Sequence, residues 1–131
     1  MTLRVRFYEL DPYNHVNHSA YVQYFEAARV ELLEEIGFGL PRLHELGLHI
    51  VVTGITTRFR RSAGPSDELL VETEVLSIKR ASSQWGQRVL RDGEVIAEQV
   101  VDAAMTDTTG KPARFLPELA TALEPHLSDA T

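Results

Sequence analysis

Residues 49–106 carry four β-rich runs in succession, HIVVTGITTRFRR, ELLVETEVLSIKR, SQWGQRVLR and EVIAEQVVDAAMT, parted only by turn residues. The break SAGPSD divides the first two. Asp92-Gly93, between Arg91 and Glu94, is a strong hairpin signal because both residues tolerate positive φ. The runs are therefore expected to be antiparallel neighbours. Nearer the start, Leu3, Val5 and Phe7 alternate with Arg4, Arg6 and Tyr8, the period-two pattern of a strand buried on one face. The expected sheet has five strands.

Between the first strand and the rest lies one substantial helix. Asp11-Pro12 ends the first strand, since proline has no amide hydrogen and pushes Asp11 into an extended conformation. Ala20, Tyr24, Ala28, Leu32 and Ile36, with Tyr21, Phe25 and Leu33, then form an apolar stripe at helical spacing. Asn17 or Ser19 can cap the start, and Gly37 and Gly39 stop the helix, so it is predicted over residues 19–36. A short piece around residues 41–46 and a terminal helix from Pro117 complete the pattern. This order predicts an α+β fold in one domain, residues 1–131. One such helix leaves part of a five-stranded sheet uncovered, and the free edge and face predict at least a dimer.

Composition narrows the function classes. A hydrophobic share of 44% and a charged share of 24%, with no apolar run near bilayer length, are those of a soluble globular chain with no membrane partner. The opening MTLRVRFYEL alternates instead of presenting a secretory pattern, so a cytoplasmic protein is expected. The absence of cysteine removes disulfides, thiolate metal sites and cysteine nucleophiles. A net charge of −6 argues against a nucleic-acid partner, so an anionic ligand would need a local arginine cluster. Such a cluster exists in Arg58, Arg60 and Arg61, with Lys79 and Arg80 ending the next strand.

Asp11 stands between a strand end and a helix start, where a carboxylate can lie beside unpaired backbone N–H groups and the positive end of a helix dipole. That pairing suits carbonyl chemistry, in which helix-start amides stabilise a developing oxyanion while the carboxylate acts as base or nucleophile. Asp11, the HVNH of residues 15–18, Tyr21, Tyr24, Glu26, Ala28 and Arg29 come close to the pattern D-x-x-G-H-V-N-x-x-x-Y-x-x-Y-x-E-x-A-R. In this the chain resembles the hotdog-fold acyl-CoA thioesterases of the 4-hydroxybenzoyl-CoA thioesterase-like family, over nearly its whole length.

The resemblance implies a hotdog fold, a long helix wrapped by a five-stranded antiparallel sheet. It implies hydrolysis of an acyl-CoA to a free acid and coenzyme A, with an acyl carrier protein thioester as the other carrier. Asp11 takes the place of the catalytic carboxylate, and the amide of His18, or its neighbour Ser19, polarises the thioester carbonyl. Relatives bind coenzyme A phosphates with basic side chains, often from more than one subunit, which assigns Arg58, Arg60, Arg61, Lys79 and Arg80 to that role. No cofactor is implied, and a homodimer or homotetramer is. Asn14 departs from the family's usual glycine, though asparagine is the next most tolerant residue at positive φ. Ser66-Asp67 stands where relatives carry Gly-Asp.

Other roles follow from residue type. Glu9, Asp11, His15 and His18 are four metal-ligand types within ten positions, but no fixed spacing supports a metal, and the histidines are read as hydrogen-bonding the turn and cap, with His15 open to positioning Asp11 or water. Asn17 is read as a cap with substrate contact as the alternative. Tyr21, Tyr24 and Phe25 are core by spacing, and those near the helix start are candidates to wall the acyl pocket. Glu26 and Arg29 are expected to pair across one helical turn, and Asp102 to face outward. Two rival functions remain, a hydratase or dehydratase using a histidine partner to Asp11, and a non-catalytic acyl-binding or assembly module.

Overall fold

A computed structural model describes residues 1–128, so the last three residues of the expected domain lie outside the described residues. Each of the four alternating runs forms one strand: β2 (Leu48–Phe59), β3 (Glu68–Ile78), β4 (Ser82–Arg91) and β5 (Glu94–Asp107). With β1 (Thr2–Arg4) they make one antiparallel sheet in the order β1-β3-β4-β5-β2. Asp92 and Gly93 join β4 to β5 at φ of 51° and 80°, the left-handed pair that a two-residue hairpin requires.

Helix α1 (His18–Glu35) is 18 residues long, begins at the Asn17 cap and gives way to Gly37 at φ 86°. Its buried side chains are Ala20, Tyr21, Tyr24, Phe25, Ala28, Leu32 and Leu33, the stripe visible in the sequence. Helix α2 (Leu40–Glu45) follows, and α3 (Pro117–Leu123) starts at the expected proline. None of the helices is long and apolar enough to cross a membrane among the described residues.

The first strand is shorter than its alternation suggests. It ends at Arg4, residues 7–9 coil into a 3-10 turn, and Phe7 is 85% exposed. Glu9 causes the change: its carboxylate accepts from the Arg6 amide at 2.7 Å and from the Arg6 guanidinium at 3.3 Å, which folds the backbone back. The Tyr24 hydroxyl donates to the same carboxylate at 2.8 Å and ties the turn to α1. Burial first, then Glu9, pushes the Tyr24 phenol above its ordinary range, so it remains a proton donor.

The core between α1 and the sheet lies in two apolar halves. One gathers Phe25, Ala28, Val71, Val89 and Ala97, the other Leu32, Leu33, Val75, Trp85 and Val101. Between them, Thr73, Gln87, Gln99 and Thr57 stand directly opposite one another across β3, β4, β5 and β2. Gln87 donates to Thr73 Oγ1 at 3.0 Å and to the Phe25 carbonyl at 2.8 Å, and Gln99 donates to Thr57 Oγ1 at 2.8 Å. Arg29 closes this row from above, its Nη1 donating to Gln87 Oε1 at 2.7 Å and Gln99 Oε1 at 3.2 Å. The expected Glu26–Arg29 ion pair is absent among the described residues, because Arg29 turns inward to these amides. Asp102 faces outward as expected, accepting from Gln84 Nε2 at 2.9 Å.

Residues 62–67 cross from β2 to β3 and press on the start of α1. Ser66 takes φ 62°, the conformation for which a glycine is the easier fit. Asp67 fastens the loop, accepting from the Gly64 amide at 2.8 Å and from Arg91 at 3.0 Å. The Gly64 amide first, with help from Arg91, holds the Asp67 carboxyl below its ordinary value of 3.8 against an upward push from burial. Folding thus favours the ionised form, so this stabilisation is complete above the ordinary carboxylate value and fades as pH falls through the lower folded value. Asp67→Asn is expected to flatten the acid side of a stability-against-pH curve, measured by urea midpoints from pH 6 down to pH 2. In the same measurement at pH 7, Asn17→Ala should cost about 1 kcal/mol through loss of the helix cap.

Candidate active site

The turn after β1 is built around one side chain. Asp11 Oδ1 accepts from the amides of Tyr13 at 2.8 Å and His15 at 3.1 Å, while its own amide donates to the His15 carbonyl at 2.7 Å. Asn14 takes φ 65°, so the asparagine does hold the tight turn. The other carboxylate oxygen, Oδ2, has no hydrogen-bond partner among the described residues. One oxygen thus holds the side chain still, and the other is available.

The two helix-start amides expected to serve the carbonyl are not equivalent. The Ser19 amide is occupied, donating to Asn17 Oδ1 at 3.0 Å, and Asn17 Oδ1 also accepts the Ser19 hydroxyl at 2.9 Å. The His18 amide has no partner among the described residues. As the first N–H of α1 it carries part of the positive end of the helix dipole. Asn17 is accordingly the cap, with its side-chain oxygen committed.

Asp11, His15, Val16, His18 and Tyr21 line an open cleft of about 250 Å³ with Phe59, Arg60, Arg61 and Ser62 from the end of β2. Two hydrogen bonds hold these walls together: the Val16 amide donates to the Ala63 carbonyl at 2.9 Å, and the Ala63 amide to the Tyr21 hydroxyl at 3.0 Å. The Tyr21 ring stands edge-on to Phe59 with centroids 5.4 Å apart. Phe59 and Ser62 were not singled out from the sequence; their nearness in the chain to RFRR was the available signal. Arg60 and Arg61 bring positive charge to the cleft, each resting on a glutamate, Glu98 at 2.9 Å and Glu94 at 2.8 Å. Exposed pairs of this kind are worth at most about 1 kcal/mol, so an incoming phosphate can replace the glutamates.

Other expected site residues lie elsewhere. Tyr24 is turned to Glu9, and Phe25 is fully buried between α1 and the sheet, so neither lines the cleft. Arg58 is exposed on β2 outside the cleft lining. Lys79 and Arg80 sit at the β3–β4 turn, where Ser83 pairs with Ala103 and Ala103 with Val52, whereas the cleft lies at the Phe59–Ala97 end. Six residues of β5 separate those positions, roughly 20 Å at ~3.3 Å per residue. A single chain does not gather all five basic residues. Glu9, bound to Arg6 and Tyr24, is also apart from the Asp11 cleft, and no group of three or more histidine or carboxylate side chains able to hold a metal is found among the described residues.

The likeness to known proteins extends over the whole fold. Residues 5–123 match the model of the Thioesterase-like superfamily. The chain is 32% identical over 122 residues to "Acyl-CoA thioesterase YbgC" of Haemophilus influenzae, covering 92% of this chain and 90% of that one. It is 30% identical over 117 residues to "Long-chain acyl-CoA thioesterase FadM" of Escherichia coli, covering 87% of each. Among solved structures, YbaW, a probable thioesterase from Escherichia coli, superposes with a TM-score of 0.84 at 28% identity, covering 98% of both chains. With a match this long on the family model and a relative this similar over nine-tenths of the chain, the protein belongs to the thioesterase-like superfamily.

Proposed function

We propose that the protein is an acyl-CoA thioesterase that releases a free carboxylic acid and coenzyme A, with Asp11 and the His18 amide as its reacting pair. The observation that carries this reading is the division of labour in the turn: Asp11 Oδ1 is anchored by two amides, Oδ2 and the His18 amide are unpartnered among the described residues, and Asp11 and His18 line the same cleft. An acyl carbonyl whose oxygen accepts from the His18 N–H would present its carbon to Oδ2 or to a water held by it. Charge grows on that oxygen as the carbon is attacked, so the N–H binds the transition state more strongly than the ground state. Direct attack forms a mixed anhydride that water then opens; general-base action delivers water in one step. Neither route calls for a resident metal or cofactor. His15, which gives its amide to Asp11, supports the carboxylate from its backbone.

Arg60 and Arg61 are proposed to receive the phosphates of coenzyme A at the cleft mouth. Lys79, Arg80 and Arg58 reach the nucleotide only from a second subunit. Strand β2 supports such an assembly: it is a 12-residue sheet edge, and Val51, Val52, Ile55 and Phe59 along it are each more than 40% exposed. A second copy pairing on this edge would cover those side chains and supply the missing wall of the acyl site. We accordingly read the enzyme as a cytoplasmic homo-oligomer, dimer or tetramer.

Two outcomes are expected. Asp11→Asn, which keeps an oxygen to accept the Tyr13 and His15 amides, should lower thiol release from acyl-CoA by at least ~10²-fold with an unchanged circular dichroism spectrum; wild-type turnover in that variant would remove Asp11 from the chemistry. Ile55→Lys should shift the protein toward monomer in sedimentation velocity and lower activity with it.

A further inference from the structure

Arg29 is hydrogen-bonded by neutral side chains alone among the described residues, with the Glu26 carboxylate as a counter-charge that does not bond it. Only its Nη1 is engaged, by Gln87 and Gln99, and Nε and Nη2 have no hydrogen-bond partner among the described residues. Every fully buried side-chain polar atom among the described residues is hydrogen-bonded, so these nitrogens must be reached from solvent or a cavity. Arg29 does border one, of about 100 Å³, between α1 and the inner face of β2 and β5. Leu33, Ile50, Val52, Trp85 and Val101 give it apolar walls, and Glu26 stands with Arg29 on its helix side. An apolar cavity with unfilled guanidinium donors is a poor place for a plain hydrocarbon, because covering a cation without an acceptor forfeits its hydration.

The cavity and the Asp11 cleft lie along the same strand, β2. Phe59 lines the cleft and Val52 lines the cavity; Ile55 lies between them on the same strand, and all three are 43–51% exposed in the single chain. Their partners across the ladder, Ala97, Val101 and Ala103, are all inward-facing and buried, which puts Phe59, Ile55 and Val52 on one face despite the bulge between Val52 and Gly54. Along α1, Arg29 lies eleven residues beyond His18, a rise of about 16 Å at 1.5 Å per residue, and helical side chains lean back toward the helix start. At about 1.3 Å per carbon, an extended acyl chain of roughly eight to twelve carbons spans that interval.

We infer that this cavity receives the far end of the acyl group, and that Arg29 makes it select acyl groups ending in an oxygen acceptor, a hydroxyl or a carboxylate, over alkyl chains of equal length. The inference rests on the acyl-thioester reading of the Asp11 cleft. The acceptor would occupy Nε or Nη2 while Nη1 stays on the two glutamines, which fix the guanidinium in place as donors fix a specificity pocket.

The test is thiol release from decanoyl-CoA, 10-hydroxydecanoyl-CoA and decanedioyl-CoA by wild type and Arg29→Met, each read as a kcat/KM ratio within one variant so that any loss of folded protein cancels. An oxygenated chain should be favoured at least ~10-fold by wild type, the scale of one charge-assisted hydrogen bond, and the ratio should fall to about one in Arg29→Met. A preference for the hydroxyl alone identifies a neutral acceptor tolerated by Glu26; a preference for the carboxylate identifies an ion pair with Arg29. Should Arg29→Met not fold, Ala103→Leu, which fills the cavity, is expected to depress hydrolysis of the favoured ten-carbon substrate and spare butyryl-CoA. Equal or better hydrolysis of decanoyl-CoA by wild type would overturn the inference and leave the role of Asp11 standing. No thiol release from any substrate would instead overturn the acyl-thioester reading itself.

Discussion

Two backbone N–H groups, those of Tyr13 and His15, hold one oxygen of Asp11, and the site depends on this grip. A carboxylate on a surface turn is ordinarily mobile and hydrated on both oxygens. Here the turn is closed by its own side chain and by the Asp11 amide bonding the His15 carbonyl, so the other oxygen points from a fixed origin. The turn is in turn fastened to the fold: Asn17 donates its amide to the Glu9 carbonyl at 2.8 Å, and Val16 to Ala63 at 2.9 Å. Carboxylate, helix start and the end of β2 are thereby held as one unit. Rigid placement of this kind is what a differential stabilisation of the transition state requires.

The same unit explains why the helix-start amides divide as they do. Asn17 caps α1 through Ser19, which stabilises the helix and uses the second amide. The first, on His18, has no acceptor four residues back and is not met by the cap, so its donor has no partner among the described residues. A better-capped helix would be more stable and less useful.

Much of this was legible in the sequence, and the parts that were not share a physical reason. The four later strands could be read because each run is rich in β-branched and apolar residues and is bounded by turn residues, and α1 because its stripe keeps helical spacing for five turns. The Asp11 turn was legible because Asp-Pro restricts the backbone, Asn14 tolerates positive φ and Asn17 is a favoured helix cap. The first strand was overextended because Phe7 keeps the alternation, whereas Glu9, two residues on, folds the backbone by bonding the Arg6 amide. Arg29 was read as the partner of Glu26 because local spacing speaks only of neighbours on a helix. Its actual partners, Gln87 and Gln99, are more than fifty residues away and come together only when β4 and β5 pair in register. The basic residues were taken as one cluster because composition carries no distance along a strand; the sheet puts Lys79 and Arg80 at one end and Arg60 and Arg61 at the other.

The central claim is geometric and is tested most directly by a crystal structure of Asp11→Asn with an intact acyl-CoA bound. The account predicts the thioester oxygen about 2.7–3.1 Å from the His18 nitrogen, with the carbonyl carbon facing the side chain at position 11. A thioester seated at any other place, with its oxygen bonded elsewhere and residue 11 out of reach of the carbon, would contradict it.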